Sequence, residues 1–333
     1  MTRRKRFLLI GLTLTLLPLV GWGSYFISFL LEPVTPPSAI SLDVSRGSSL
    51  WQVSRQLEQA GVITDARHFR LLGSLRDQAE LIRSGTYDFT AAATPGTILD
   101  RLVAGDIRKL ALTIPEGFDL QQIAARADRL LGIGGDLLRL AQDHAFIERL
   151  GIKAASLEGY LFPDTYSVTS ETNAEQLIRM MYKQLQLYLD TELSAAQQHG
   201  LAPHQLLTLA SIIQKEAGNE AEMPLISAVF HNRLRKGIPL QADPTVIYGL
   251  ESFDGNLTRK HLETPTPYNT YRIYGLPPGP IASPGLAALQ AAAHPADSPA
   301  LYFVARGDGT HVFSNSLQQH NQAVRRYQLK RKH

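Results

Sequence analysis

From Phe7 to Leu31 the chain runs for 25 residues without a charged side chain. In a bilayer a stretch of that length must satisfy its own backbone hydrogen bonds, which leaves a helix as its local structure. At ~1.5 Å per residue it is long enough to cross with some tilt. Arg3, Arg4, Lys5 and Arg6 precede it, a flank that predicts a cytoplasmic N-terminus. Trp22 and Tyr25 then approach the far interface. A cleaved signal peptide is the competing reading, but its apolar core is usually only ~7–15 residues. No compact small-residue cleavage site precedes Glu32. The expectation is an uncleaved anchor: residues 1–6 a cytoplasmic tail, 7–31 a single transmembrane helix, and 32–40 a stiff Pro-rich spacer.

The remaining chain is long enough for two or more modest domains. Its net charge of +3 is misleading, because seven basic residues lie at the two ends (Arg3–Arg6 and Lys330–Lys332), leaving 26 basic against 30 acidic residues between them. A body of that charge argues against a general nucleic-acid binder. There is no cysteine, so neither a disulfide nor a thiolate metal site can form.

A near-repeat sets out the first part of the body. Ser41–Val53 and Ala111–Ile123 align at a constant offset of 70, with Leu42 on Leu112, Gly47 on Gly117 and Leu50 on Leu120. Each reads as an alternating strand, a glycine turn, a cap (Ser49 or Asp119) and an amphipathic helix. In the first copy the helix runs to Ala60-Gly61, a second begins near His68, and Gly85–Phe89 is a short strand. A β-helix-helix-β unit over 41–108 follows, closed by a helix capped at Thr94 and ending near Ala104-Gly105. The second copy opens a connecting segment over 109–155.

The stretch Leu206–Ala217 carries the chemistry. At ~100° per residue Leu206, Leu209, Ile212 and Ile213 share one face, and Glu216 points from the same stripe. Gly218-Asn219 reads as a left-handed helix stop. A carboxylate on a buried face must be paired, hydrogen-bonded or protonated. Two readings stay open at this point: a general acid with a raised pKa, or a structural Glu paired with an Arg such as Arg233. Downstream lie Val229–Leu234, Pro239–Gly249, Pro267–Tyr271 and Gly275–Gly285. Their amide, hydroxyl and aromatic side chains on Pro/Gly-fixed loops suit sugar binding.

These motifs, in this order, resemble the YceG-like family of endolytic peptidoglycan transglycosylases. The resemblance is densest from Leu157 to Asn321. It implies an α+β chain with a LysM-like module at 41–108 and a mixed α/β catalytic domain at 156–333. It also implies Glu216 as the catalytic residue, with Glu158, Tyr160, Asn232, Gln241, Asp243, Thr245, Tyr248, Tyr268, Asn269, Tyr271 and Asn321 binding substrate. The expected cleft is built from the loops around Gln241, Tyr268 and Pro278. The implied reaction cleaves the β-1,4 linkage between N-acetylmuramic acid and N-acetylglucosamine in nascent strands, giving 1,6-anhydro ends and limiting strand length. Expected partners are peptidoglycan strands, the cytoplasmic membrane and peptidoglycan synthases, with the body on the extracytoplasmic face. Ser283 and Gln319 depart from the family's frequent Asn and Glu.

Other chemistries are poorly served. His231, His261, His294, His311 and His320 show no H-x-x-x-H spacing, so no metal is expected, and no cofactor is expected either. No G-x-S-x-G elbow surrounds Ser211, and the Gly275–Gly285 loop matches no phosphate loop. An ordinary glycoside hydrolase needs a second carboxylate, for which Asp243, Asp164, Glu158 and Glu263 are candidates. The rival from another class is a non-catalytic, membrane-anchored peptidoglycan-binding scaffold.

Overall fold

A computed structural model describes residues 3–329, with side chains from 16 to 328. The chain divides into two compact units, Met1–Leu110 with Val168–Glu171, and Ala111–Ser167 with Thr172–His333. Its sheets are antiparallel or two-stranded fragments among many helices, a mixed α+β chain.

The smaller unit contains α1 (Arg3–Leu31), β1 (Ile40–Val44), α2 (Leu50–Gln59), α3 (Ala66–Leu75), β2 (Gly85–Phe89) and α4 (Pro95–Ala104). The expected β-helix-helix-β order is present. β1 and β2 pair antiparallel from Ile40↔Phe89 to Val44↔Gly85. Leu42 and Val44 of one strand and Tyr87 and Phe89 of the other turn the same way into the core, the period-2 outcome of the pleat. Leu50, Val53 and Leu57 of α2, Phe69 and Leu72 of α3, and Ile98, Leu99 and Leu102 of α4 complete that core. α4 begins at its Thr94 cap and ends at Gly105 in the left-handed conformation, as the sequence predicts.

The span expected over Phe7–Leu31 begins in residues whose side chains lie outside the described set. Among the described residues no helix is long and apolar enough to cross a membrane. Within the described part of α1, Phe29 is buried in the small unit's core, with Phe26 and Leu30 packed against it. Trp22, Tyr25, Phe26 and Phe29 surround the His68 ring at 5.1–6.0 Å between centroids. The last turns of the helix are thus docked on protein along one side.

The larger unit begins with β3 (Leu110–Thr113), α5 (Leu120–Leu131), α6 (Gly134–Ala141), α7 (His144–Arg149) and β4 (Thr165–Val168). β3 pairs with β4. Then follow α8 (Ala174–Gln198), α9 (Pro203–Glu216), a short 3-10 turn at Glu220–Glu222, α10 (Met223–Arg235), α11 (Asp243–Tyr248) and α12 (Arg259–Glu263). α13 (Leu286–Ala293), β5 (Tyr302–Ala305), β6 (His311–Ser314), α14 (Leu317–Val324) and a final π turn to Leu329 end the described chain. β5 and β6 form the hairpin expected on either side of Arg306–Gly309.

Two local expectations change. α9 was expected to bury one stripe, yet every residue from Leu206 to Ile213 is buried. It is the central helix of its unit, packed by α8, α10, α11 and α13. The alanines of α13 (Leu-Ala-Ala-Leu-Gln-Ala-Ala-Ala) let that helix approach closely and cover what an amphipathic reading leaves to water. The helix also stops without a left-handed residue: Ala217 turns extended at φ −72°, ψ 127°. Gly218 is required for another reason, since a Cβ there would lie 2.6 Å from the Gly309 carbonyl oxygen.

Candidate active site

Glu216 closes α9 and opens onto a cleft of about 370 Å³. The cleft is walled by Arg233 of α10, Gln241, Asp243 and Tyr271, by Tyr302–Ala305 of β5, and by His311, Leu317 and His320. Burial pushes the Glu216 carboxyl up to about 8, and the nearby Asp243 carboxylate adds to the rise. The Asp243 backbone N–H donates to Glu216, and the Arg233 charge opposes the shift without cancelling it. A carboxylic acid that keeps its proton at neutral pH is what general-acid chemistry needs.

Arg233 does not serve as the ion-pair partner of Glu216. Its Nε donates to Leu301 O at 2.7 Å, and Nη1 donates to Pro239 O at 3.1 Å, Leu240 O at 2.9 Å and Gln241 Oε1 at 3.2 Å. Its guanidinium also lies 5.0 Å from the centre of the Tyr302 ring. Among the described residues no salt bridge joins it to Glu216. Arg233 ties β5 and the Pro239–Gln241 turn to α10 while leaving a positive field over the cleft.

The turn that delivers Asp243 is strained and heavily bonded. Gln241 has φ +51°, a conformation that costs a non-glycine residue ~1–2 kcal/mol. Gln241 N donates to Thr270 O at 3.1 Å and Ala242 N to Thr270 Oγ1 at 2.9 Å. Thr245 Oγ1 donates to Ala242 O at 2.7 Å, and the hydroxyls of Thr245 and Thr270 lie 2.8 Å apart. Tyr271 then gives its hydroxyl to Asp243 Oδ1 at 2.6 Å, which burial and the acidic neighbours favour by holding the phenol well above its usual range.

The residues expected to bind substrate therefore separate into groups. Gln241, Asp243 and Tyr271 share the cleft with Glu216. Thr245, Asn232 and Asn269 are buried and spend their polar atoms within the protein, on backbone groups and on the Thr270 and Arg235 side chains. Asn232 Nδ2 donates to Ser298 O and Ala300 O at 2.7 and 2.8 Å, and Asn269 Nδ2 to Thr264 O at 2.7 Å. Asn321 is exposed on α14. Glu158, Tyr248 and Tyr268 form a second cluster: Tyr248 OH donates to Glu158 Oε2 at 3.2 Å, and the two tyrosine rings lie 4.8 Å apart. Tyr160 is buried, with its hydroxyl 2.8 Å from His204 Nδ1. Of the three loops expected around the cleft, the one at Gln241 lines it, the one at Tyr268 reaches it through Tyr271, and Pro278 is not among the lining residues. His204 Nε2 lies 2.7 Å from Pro278 O, and Ile281 N donates to Ser211 Oγ at 3.0 Å. That loop is fastened along α9 and supports the helix.

The opposite wall was not expected. Tyr302, Phe303, His311 and His320 come from the terminal hairpin and α14. His311 is fixed by Glu222, whose Oε2 lies 2.8 Å from Nδ1 and whose Oε1 accepts the backbone N–H at 3.0 Å. His320 stacks on Tyr302 at 5.2 Å. Scattered histidines give no spacing signal for such a wall, because a hairpin far along the chain brings them in.

Comparison with known proteins agrees with this layout. Residues 42–326 match the YceG-like family. An endolytic murein transglycosylase of Bacillus subtilis is 34% identical, over 93% of this chain and 91% of that protein. An endolytic murein transglycosylase of Streptococcus pneumoniae is 29% identical, over 93% of this chain and 63% of that longer protein. A crystal structure of a yceG-like protein from Listeria monocytogenes superposes with a TM-score of 0.60 at 33% identity, covering 86% of this chain and 98% of that one. With both the family match and the Bacillus relative extending over most of its length, the chain belongs to the YceG-like family.

Proposed function

We propose that this protein is a membrane-anchored endolytic murein transglycosylase with Glu216 as its acid and base. Murein transglycosylase is the activity named for its relatives, and this chain is an enzyme of that class. The observation that carries the role of Glu216 is its position at the end of α9, lining a polar cleft beside Asp243, where burial raises its pKa. Glu216 protonates the oxygen linking N-acetylmuramic acid to N-acetylglucosamine as the C1–O bond breaks. The same carboxylate then accepts the proton of the muramoyl C6 hydroxyl while that oxygen attacks C1. A 1,6-anhydro ring closes, the proton returns to Glu216, and no water is consumed. Asp243, kept in place by Tyr271, faces the positive charge that develops at C1.

The anchor reading rests on α1. Leu16, Leu17, Leu19 and Val20 are all about half exposed or more, an apolar surface that lipid would cover. The basic residues before Phe7 favour a cytoplasmic N-terminus, with the body on the extracytoplasmic face. Protease added to spheroplasts is expected to degrade the body; protection until lysis would reverse that topology. A tethered enzyme works where strands emerge, which makes peptidoglycan synthases its candidate protein partners and strand length its output. The β-helix-helix-β unit, in the LysM-like reading, holds such a strand.

Digestion of purified peptidoglycan with the full-length protein in detergent tests the chemistry. Anhydro-muropeptides in the mass spectrum are the expected result, and reducing ends alone would make the enzyme a hydrolase. Long strands should pass through a spread of intermediate lengths. Disaccharide units dominating from the first minutes would make the cutting exolytic.

A further inference from the structure

A second buried carboxylate lies outside the cleft and has no part in the chemistry above. Glu158 is 6% exposed. Its oxygens accept the backbone N–H of Leu120, the first residue of α5, at 3.2 and 3.3 Å, and Tyr248 OH donates to Oε2 at 3.2 Å. Its own N–H donates to Ser156 Oγ at 3.3 Å. The turn that presents it is tightly specified: Gly159 has φ +78°, and a Cβ there would lie 2.3 Å from the Pro280 side chain.

The groups that face Glu158 are donors and one acid. α5 contributes the Leu120 N–H and, from its cap, the Asp119 carboxylate; α11 contributes the Tyr248 hydroxyl; its own turn contributes the Gly159 N–H. Tyr268 stands behind Tyr248. A buried acid held only by dipoles is a poor choice for stability alone, since an apolar side chain of similar volume commonly does as well or better. At the α5 N-terminus Asp119 and Gln122 already form a reciprocal capping box, and Glu158 adds to it only an acceptor for the Leu120 N–H.

What Glu158 does reach is the far end of α11. That helix is six residues, about 9 Å, long. Its first residue, Asp243, bonds Glu216 through its backbone and Tyr271 through its carboxylate. Its last residue, Tyr248, bonds Glu158. One short rigid rod thus has a carboxylate at each end, one in the cleft and one buried behind it.

We propose that Glu158 is a positioning residue that, as a carboxylate, holds Tyr248 and through α11 sets Asp243 against Glu216. The proposal rests on Glu216 being the acid. Protonated, Glu158 would bring its own O–H among the donors of Leu120, Gly159 and Tyr248, and the Tyr248 hydroxyl would lose its charged acceptor. The rod would then be free to shift, and a misplacement of ~1 Å at a reacting centre can cost on the order of a hundredfold in rate. Burial pushes Glu158 up to about 7, with Asp119 raising it further and the Leu120 and Tyr248 bonds opposing. Activity should therefore fall as pH drops through about 7, on a limb separate from the one Glu216 sets near 8.

The test is the pH dependence of kcat and KM on peptidoglycan for the full-length protein and for Glu158→Gln, Glu158→Asp and Tyr248→Phe. Glu158→Gln and Tyr248→Phe are each expected to lower kcat about tenfold or more, with little change in KM, and to erase the acid limb while leaving the alkaline one. Glu158→Asp should restore a titrating acid limb. The double variant Glu158→Gln/Tyr248→Phe should lose no more than either single one, because both break the same bond. An unchanged acid limb in folded Glu158→Gln overturns the proposal, as does a loss confined to KM or full additivity with Tyr248→Phe. Should Glu158→Gln fail to fold, Tyr248→Phe with full kcat and an unmoved acid limb overturns it instead. A Glu216→Gln variant that stays active would refute the acid assignment itself, and would do so independently of these arms.

Discussion

The two strand–turn–helix copies at offset 70 are alike in their turns and N-terminal helix caps and unlike in what surrounds them. Gly47 and Gly117 both take left-handed φ, +81° and +73°. Ser49 with Gln52 and Asp119 with Gln122 both close capping boxes. Around the first copy the turn faces open space, with nothing within 4 Å of where a Gly47 Cβ would stand. Its helix simply packs on α3. Around the second copy the turn is gripped: Gly117 N donates to Ser283 O and Ser283 N to Phe118 O, both at 2.8 Å, and Lys215 Nζ donates to Gly117 O at 3.3 Å. Lys215 precedes Glu216. The same sequence device therefore builds the core of the smaller unit in one place and a brace for the helix that carries Glu216 in the other. A motif specifies its own backbone; what leans on it decides its use.

The strongest way to break that contrast is at Glu216. Glu216→Gln should lower the rate of anhydro-end release by about 10²–10⁴, the usual span for a lost general acid. It should not destabilise the fold. An acid whose folded-state pKa is raised contributes best below its unfolded value near 4.5 and loses that contribution as pH rises toward about 8. The Gln variant should therefore melt at or above the parent temperature at pH 8, by about 2–4 °C per kcal/mol of relieved burial, and no higher at pH 5. A large drop in melting temperature would return Glu216 to a structural role, and the second copy would then brace nothing catalytic.

A matched pair sharpens the comparison directly. Gly47→Ala and Gly117→Ala impose the same left-handed strain, ~1–2 kcal/mol in each case. Both should lower stability to a similar degree in denaturant melts. Only Gly117→Ala, whose new methyl would touch Gln214 and Lys215 at 3.5–3.6 Å, should also lower kcat, by about three- to tenfold. Equal kcat losses, or none, would remove the distinction between brace and scaffold.

The smallest effects belong to the caps. Ser49→Ala should cost about 1 kcal/mol of stability and leave kcat alone. Asp119→Asn keeps a capping side chain, so its stability should change by a few tenths of a kcal/mol. It does remove a negative charge that raises Glu158, and the acid limb of the pH profile should move to lower pH. A limb that stays in place would show that Asp119 does not act on Glu158.

Much of this was legible in the chain itself. The caps at Ser49, Thr94 and Asp119, the left-handed glycines and the hairpin around Gly307 and Gly309 all depend on groups within about four residues of one another. So does the alternation that turns Leu42, Val44, Tyr87 and Phe89 inward. Glu216 stood out because a carboxylate followed an apolar run, and that signal is local too. Its setting was harder to read. By its pattern the helix is amphipathic, because nothing near Leu207 or Ala210 announces α13, which begins nearly eighty residues on and packs against α9.

Sequence by itself determined the strands, the capped helices, the apolar N-terminal segment and the family to which the motifs point. Tertiary structure alone decided which polar residues meet. Arg233 bonds to Leu301, 68 residues away, instead of pairing with Glu216. His311 reaches Glu222 across 89 residues to stand in the cleft wall, and Glu158 reaches Tyr248 across 90. Asn232 and Asn269 look like sugar ligands by composition and are spent on carbonyls instead. The physical reason is the same in each case. A side chain's conformational preference is set by its neighbours in sequence, but the partner of a buried donor or acceptor is whatever group the packed core leaves unsatisfied beside it.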